Sequence, residues 1–100
     1  MKFLVLWSLE IKLLSPQMMS AVLKQQEHAK KLEREGKLPH RFHVVGRHGG
    51  AWIYDVESNE ELDRLLASSP VFNYARYEVY PLAEMQESAS VVGDLPHQKG

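Results

Sequence analysis

The chain has 100 residues, with 12 Lys+Arg against 13 Asp+Glu and no cysteine. That is one domain's worth of chain, and without thiols it has neither a disulfide framework nor thiolate chemistry. The near balance of charge gives no electrostatic ground for a nucleic-acid or membrane partner. The longest apolar run, residues 3–9, is too short to span a bilayer.

Lys2 is the only early cation, Glu10 and Lys12 interrupt the apolar run, and no small-residue cleavage site follows. No signal peptide is therefore expected, and the chain is placed in the cytoplasm. Phe3, Val5, Trp7 and Leu9 alternate with Leu4, Leu6, Ser8 and Glu10, which reads as a strand covered on both faces. Ser15-Pro16 reads as an N-cap followed by proline at the first helical position, and Gly36 ends the helix after about residue 34. At 100° per residue, Met18, Met19, Ala21, Val22, Leu23, Ala29 and Leu32 share one broad apolar arc. Glu27, Lys31, Arg34 and Glu35 take the solvated side.

Residues 40–47 form the second predicted strand, Gly49-Gly50 the hairpin signal and residues 51–56 the third strand. Ser58 with Glu61 is a capping box ahead of a short helix that buries Leu62, Leu65 and Leu66. Ser68-Ser69-Pro70 stops that helix, and residues 73–82 are the last strand. The order is βαββαβ, an α+β ferredoxin-like unit with an antiparallel sheet and two helices on one face. The domain is expected over residues 1–84, with a tail over 85–100.

An even hairpin loop puts His43, Val45, Trp52 and Tyr54 on one face of the sheet. His40, Phe42, Val44, Ala51, Ile53 and Asp55 then share the other. Two helices cover one face only. The other is too apolar to stay wet, so a second subunit is expected on it.

No phosphate-binding glycine loop, nucleophile elbow or zinc signature is present. The chemistry must come from polar groups on apolar surfaces. Gln25 falls near the middle of the apolar arc of the first helix, where an unpartnered amide costs about 1–3 kcal/mol. It is either a structural hydrogen-bonding group or a pocket residue that orients substrate. Gln26 lies at the margin of the arc. His40 and His43, on the second strand, are the candidates for proton transfer near neutral pH; the alternative for each is a satisfied surface or interface histidine. Trp7, Trp52 and Tyr54 are either pocket wall or core. Arg41 and Arg47 are candidates for binding a substrate carboxylate or, alternatively, solvated edge residues. The histidine spacing gives no metal site, and no cofactor is expected.

The runs Leu32-Glu33-Arg34-Glu35-Gly36-Lys37, Val45-Gly46, Tyr54-Asp55-Val56-Glu57-Ser58, Glu60-Glu61-Leu62 and Pro70-Val71-Phe72-Asn73-Tyr74 resemble the muconolactone isomerase family. The resemblance runs from the first strand to about residue 82. It implies a ferredoxin-like fold, sheet-packed dimers of α/β-barrel type, larger rings up to a decamer, and no cofactor. It also implies a double-bond shift in a small lactone, in which a proton is removed beside the carbonyl and one is returned at the allylic carbon. Such chemistry needs a base, donors for the enolate-like oxygen and a cavity that excludes water.

Three departures stand out. Gln25 replaces a glutamate of the family, Leu38-Pro39-His40 replaces Trp-Arg-His, and Gly46-Arg47-His48-Gly49-Gly50 replaces Gly-His-Tyr-Ala-Asn. The expected catalytic set is His40 as base with Gln25 and Tyr54 orienting or stabilising the oxyanion. His43, Trp52, Arg41 and Phe42 are the expected substrate-binding set. The match at His40 favours the even residues of the second strand as the helix-covered face, with the cavity beneath the first helix. The alternatives are a cofactor-free cyclase, dehydratase or oxygenase of specialised metabolism, or a non-catalytic oligomeric binding protein.

Overall fold

The computed structural model describes residues 1–85. In chain order it has β1 (Lys2–Leu9), a 3-10 turn (Ile11–Leu13), α1 (Pro16–Arg34), β2 (His40–His43) and β3 (Gly49–Asp55). Then come α2 (Asn59–Ala67), a second 3-10 turn (Phe72–Tyr74) and β4 (Ala75–Leu82). The strands form one sheet in the order β2-β3-β1-β4, and every neighbouring pair is antiparallel. This is the expected ferredoxin-like βαββαβ fold. Among the described residues, no helix is long and apolar enough to cross a membrane. The expected tail over residues 85–100 lies, apart from Met85, outside the described residues.

Local chemistry sets both helix boundaries. Ser15 Oγ accepts from Met18 N–H at 3.1 Å and Pro16 opens α1. At the other end Gly36 takes φ +76°, a backbone shape that glycine adopts without steric cost. Its N–H donates to Glu33 O at 3.1 Å and Lys37 N–H to Leu32 O at 2.9 Å, which completes a Schellman cap. In α2 the Glu61 N–H donates to Ser58 Oγ at 3.0 Å, and the Glu61 carboxylate reaches back to Glu57 N–H at 2.8 Å.

The core lies between the helices and one face of the sheet. Phe3 pairs with Tyr54 and Val5 with Trp52 across β1 and β3, and all four are buried. Ala29, Leu32, Leu62 and Leu66 pack against them from the helices. On α1 the buried set is Met18, Ala21, Gln25, Ala29 and Leu32. These residues recur every three or four positions, the spacing of a single helical stripe. Met19 and Leu23 are exposed, so the arc is narrower than the hydrophobic pattern implies and Gln25 lies at its centre.

Two expectations are corrected here. Strand β2 ends at His43, and Gly49-Gly50 belongs to β3, not to the hairpin turn. The turn forms one step earlier, where Arg47 N–H donates to Val44 O at 3.1 Å and Gly46 takes φ +79°. Glycines occupy the start of β3 because side chains do not fit there. A Cβ at Gly50 would lie 2.6 Å from Trp52 Nε1 and 2.7 Å from Phe42 O, and one at Gly49 would meet Trp7 O.

The second correction concerns the faces. Pairing across β2 and β3 has the expected opposite parity, with His40 opposite Ile53 and Arg41 opposite Trp52. The helices, however, cover the face that carries the odd residues of β2 and the even residues of β3, because Phe3, Val5, Trp52 and Tyr54 supply the bulk that α1 and α2 bury. His40, Phe42, Ala51, Ile53 and Asp55 therefore lie on the open face.

Candidate functional site

Beneath the middle of α1 lies a cavity of about 520 Å³. Helix α1 lends it Val22, Gln25, Gln26 and Glu33. The end of β1 supplies Trp7 and Leu9, β2 supplies Arg41 and His43, the turn supplies Arg47 and His48, and β3 supplies Trp52. The sheet register explains the grouping. Trp7, Gly50 and His43 stand in one row across the strands, with Trp52 and Arg41 in the next row on the same face.

The apolar wall is a pair of indoles. Trp7 meets Trp52 edge-to-face, with ring centroids 5.3 Å apart and planes at 82°. Trp7 Nε1 is buried without a hydrogen-bond partner among the described residues. Such a donor retains an unfilled hydrogen bond inside the protein.

The polar wall is held from behind. Gln25 is buried, and its Oε1 accepts from Ser69 Oγ at 2.7 Å. Ser69, in the connection after α2, is also buried, and its Oγ accepts from Val71 N–H at 3.3 Å. Burial raises the Tyr77 phenol above its ordinary pKa and the nearby Ser69 hydroxyl partly offsets this, although their geometry falls short of a hydrogen bond. Gln25 is thus a structural hydrogen-bonding group that also borders the cavity.

At the mouth, Arg41 donates from Nε to Glu33 Oε2 at 3.2 Å and from Nη2 to Glu33 Oε1 at 3.3 Å. Its guanidinium carbon lies 5.6 Å from the centroid of the Trp52 ring. Arg47, His43 and His48 share this rim with a single carboxylate, Glu33. The charge pattern suits an anionic ligand.

The cavity therefore brings together Gln25, His43, Trp52 and Arg41 of the expected set. Phe42 borders it, while its ring stacks on His40 at a centroid distance of 6.1 Å on the open face. His40 itself is exposed there, which corrects its expected place beneath α1. Tyr54 is a core residue at 2 % exposure and does not border the cavity. Burial, with Tyr77 adding to it, drives its phenol far above the ordinary range, so it stays neutral. Sequence reasoning missed Ser69 and Glu33, because each acts through a partner that only the folded chain brings near. A second hollow, of about 590 Å³, adjoins the same end of the sheet; it shares Trp7 and Arg47 with the first and adds Leu6, Val44 and Arg76. It holds neither Gln25 nor His43. Among the described residues no cluster of three or more His, Cys, Asp or Glu is placed to hold a metal ion.

Sheet order, helix placement and this cavity define a ferredoxin-like α+β protein with room for a small molecule under its first helix. Residues 1–88 match the family model described as muconolactone delta-isomerase, and the chain belongs to that family of isomerases. It is 37% identical to muconolactone delta-isomerase 1 of Acinetobacter lwoffii over 65 residues, which is 65% of this chain and 68% of that protein. It is 35% identical to muconolactone delta-isomerase of Rhodococcus opacus over 63 residues, covering 63% and 68% of the two chains. A crystal structure of muconolactone isomerase superposes with a TM-score of 0.76 at 25% identity, covering 99% of this chain and 98% of that one. The 5-chloro-2-hydroxyhydroquinone dehydrochlorinase of Burkholderia phenoliruptrix, solved with 2,5-dihydroxybenzoquinone, shares the fold. Its TM-score is 0.63 at 15% identity, covering 85% and 96% of the two chains.

Proposed function

We propose that the chain catalyses a cofactor-free double-bond shift in a small unsaturated lactone, with muconolactone the first substrate to test. The observation that carries the reading is that Gln25, His43 and Arg41 border one cavity in a chain of this isomerase family. In this scheme His43 takes a proton from one end of the conjugated system and returns one at the other. Between the two transfers the negative charge rests on the lactone's carbonyl oxygen, and the Gln25 amide donates to it. The Gln25 amide is too weakly basic to take the proton that a carboxylate could, so in this scheme it serves as a donor and not as the base. Trp7 and Trp52 form the water-excluding wall. Muconolactone also carries a carboxylate, which Arg47 and the pre-oriented Arg41 bind at the rim.

The test is the rate of muconolactone isomerisation by the purified chain. Turnover that falls about 100-fold or more in His43→Ala supports the reading, a loss in the range of general-base catalysis. No turnover by the unmodified chain would overturn it and turn attention to cyclase, dehydratase or oxygenase chemistry, or to binding alone.

A second reading keeps His40 as the base. It is favoured by the placement of His40 beside Phe42 on an uncovered apolar face, where a second copy would enclose it. We propose that this face packs against another subunit in a dimer or a larger ring. In that arrangement His40→Ala, and not His43→Ala, abolishes turnover.

A further inference from the structure

We propose that Ser69 is a positioning residue: its hydroxyl fixes the Gln25 amide with the oxygen inward and the NH2 group toward the cavity, so that Gln25 acts only as a donor. The inference rests on the proposed lactone chemistry for its consequence, but not for its geometry. Gln25 and Ser69 are the two buried polar side chains among the described residues, each 7% exposed. They come from α1 and from the connection after α2, 44 positions apart in the chain.

The hydrogen bonding sets the direction. Gln25 and Ser69 meet at 2.7 Å, the usual separation for O–H···O and shorter than the usual one for N–H···O. Ser69 Oγ has one proton and two lone pairs. The Val71 N–H occupies one lone pair, and among the described residues Gln25 Oε1 is the hydrogen-bond acceptor of the hydroxyl. The Ser69 proton therefore goes to Gln25 Oε1. Among the described residues nothing accepts from Gln25 Nε2, and Gln25 borders the cavity. The free end of the amide is thus its donor end.

The polarity matters for the reaction. A freely flipping amide would spend part of its time with its oxygen facing a substrate oxygen that gains negative charge, and two acceptors repel. A locked amide offers N–H donors at all times, with no reorganisation as charge develops. Ser69 touches no substrate. No bond to it forms or breaks, and its effect passes wholly through Gln25.

A neutron structure of the deuterated, unmodified chain tests the geometry without any substrate. The expected map has the Gln25 ND2 group on the cavity side; an ND2 group pointing to Ser69 overturns the proposal. Kinetics on muconolactone test the consequence. Ser69→Ala should lower kcat about tenfold or more with KM within about threefold, and Ser69→Thr, which keeps the hydroxyl, should restore kcat. A serine that only supported the core would not act through residue 25. In a Gln25→Met background, therefore, Ser69→Ala should change kcat by less than twofold. Unchanged kcat in Ser69→Ala, or equal losses in both backgrounds, overturns the proposal. If the unmodified chain has no activity on muconolactone, the proposed function falls and the neutron map alone decides this inference.

Discussion

Arg41 lies over the ring of Trp52, with its guanidinium carbon 5.6 Å from the ring centroid, while Glu33 grips the same guanidinium from α1. The two residues are direct partners across β2 and β3, so the register itself sets the stack. A planar, delocalised cation suits both contacts, whereas an ammonium can serve neither as well. Arg41→Lys is therefore expected to raise KM for an anionic lactone about fivefold, the equivalent of one exposed cation–π contact, with a smaller change in kcat. Steady-state kinetics check this. An unchanged KM would remove Arg41 from the binding set.

Gly50 is the second test of the cavity wall. A Cβ there would come within 2.6 Å of Trp52 Nε1 and 2.7 Å of Phe42 O, both closer than atoms tolerate. Gly50→Ala should lower unfolding stability by about 1–3 kcal/mol, the usual cost of overpacking. Because the indole must move, its tryptophan fluorescence in the folded state should shift as well. Denaturant titration followed by fluorescence reads both quantities. A stability within error of the unmodified chain would show that β2 and Trp52 adjust freely.

These two sites also show where the sequence stops being informative. The helices are legible because their boundaries are local: Ser15-Pro16, Gly36 and Ser58 with Glu61 each act within one turn. The parity of β2 and β3 is legible too, since it depends only on loop length. Which face the helices cover is not local. It is decided by Phe3, Val5, Trp52 and Tyr54 together, whereas His40 drew attention by its chemistry and proved to lie opposite. Gly49-Gly50 looks like a turn because glycine also marks turns; its steric reason, the Trp7 backbone and the Trp52 ring, exists only in the folded sheet. Gln25 is visible as a polar residue on an apolar arc, but nothing near it in the chain points to Ser69.

The ion pair between Lys37 and Glu61 joins the end of α1 to the start of α2, with Lys37 Nζ 2.8 Å from Glu61 Oε2. The hydrogen bond from Lys37, and then the Glu57 N–H, hold the Glu61 carboxyl below its ordinary value of 4.5. A depressed acid contributes stability that is complete above the unfolded-state pKa and is lost as pH falls through the folded-state pKa. The same bond raises the Lys37 ammonium above 10.5, so its contribution is complete below that pH and lost as pH rises through the raised value. Glu61→Gln should accordingly melt at a lower temperature than the unmodified chain at neutral pH. The gap should close as the solution is acidified well below 4.5. Melting curves across pH, read by circular dichroism, test this. A gap that persists in acid would assign the stabilisation to the capping geometry of residue 61 and not to its charge.

The last expectation concerns the open face. Two rows of side chains cross it: His40, Ile53, Leu4 and Tyr80 in one, Phe42, Ala51, Leu6 and Glu78 in the next. Phe42 is 60% and Tyr80 45% exposed, so large apolar groups stand in the open at both ends of the sheet. A face of this kind marks an interaction surface more often than a wetted one. Ile53 lies between the two flanking strands and points away from the helices, so a charge there should leave the core intact. On the proposed packing of this face, Ile53→Arg is expected to leave only a monomer of 11.5 kDa with an unchanged circular dichroism spectrum. Light scattering coupled to size exclusion measures it directly. If the unmodified chain already runs as a stable monomer at micromolar concentration, this face is not a subunit interface. His40 then has no enclosed site in which to act as a base, and the proton transfer falls to His43 alone.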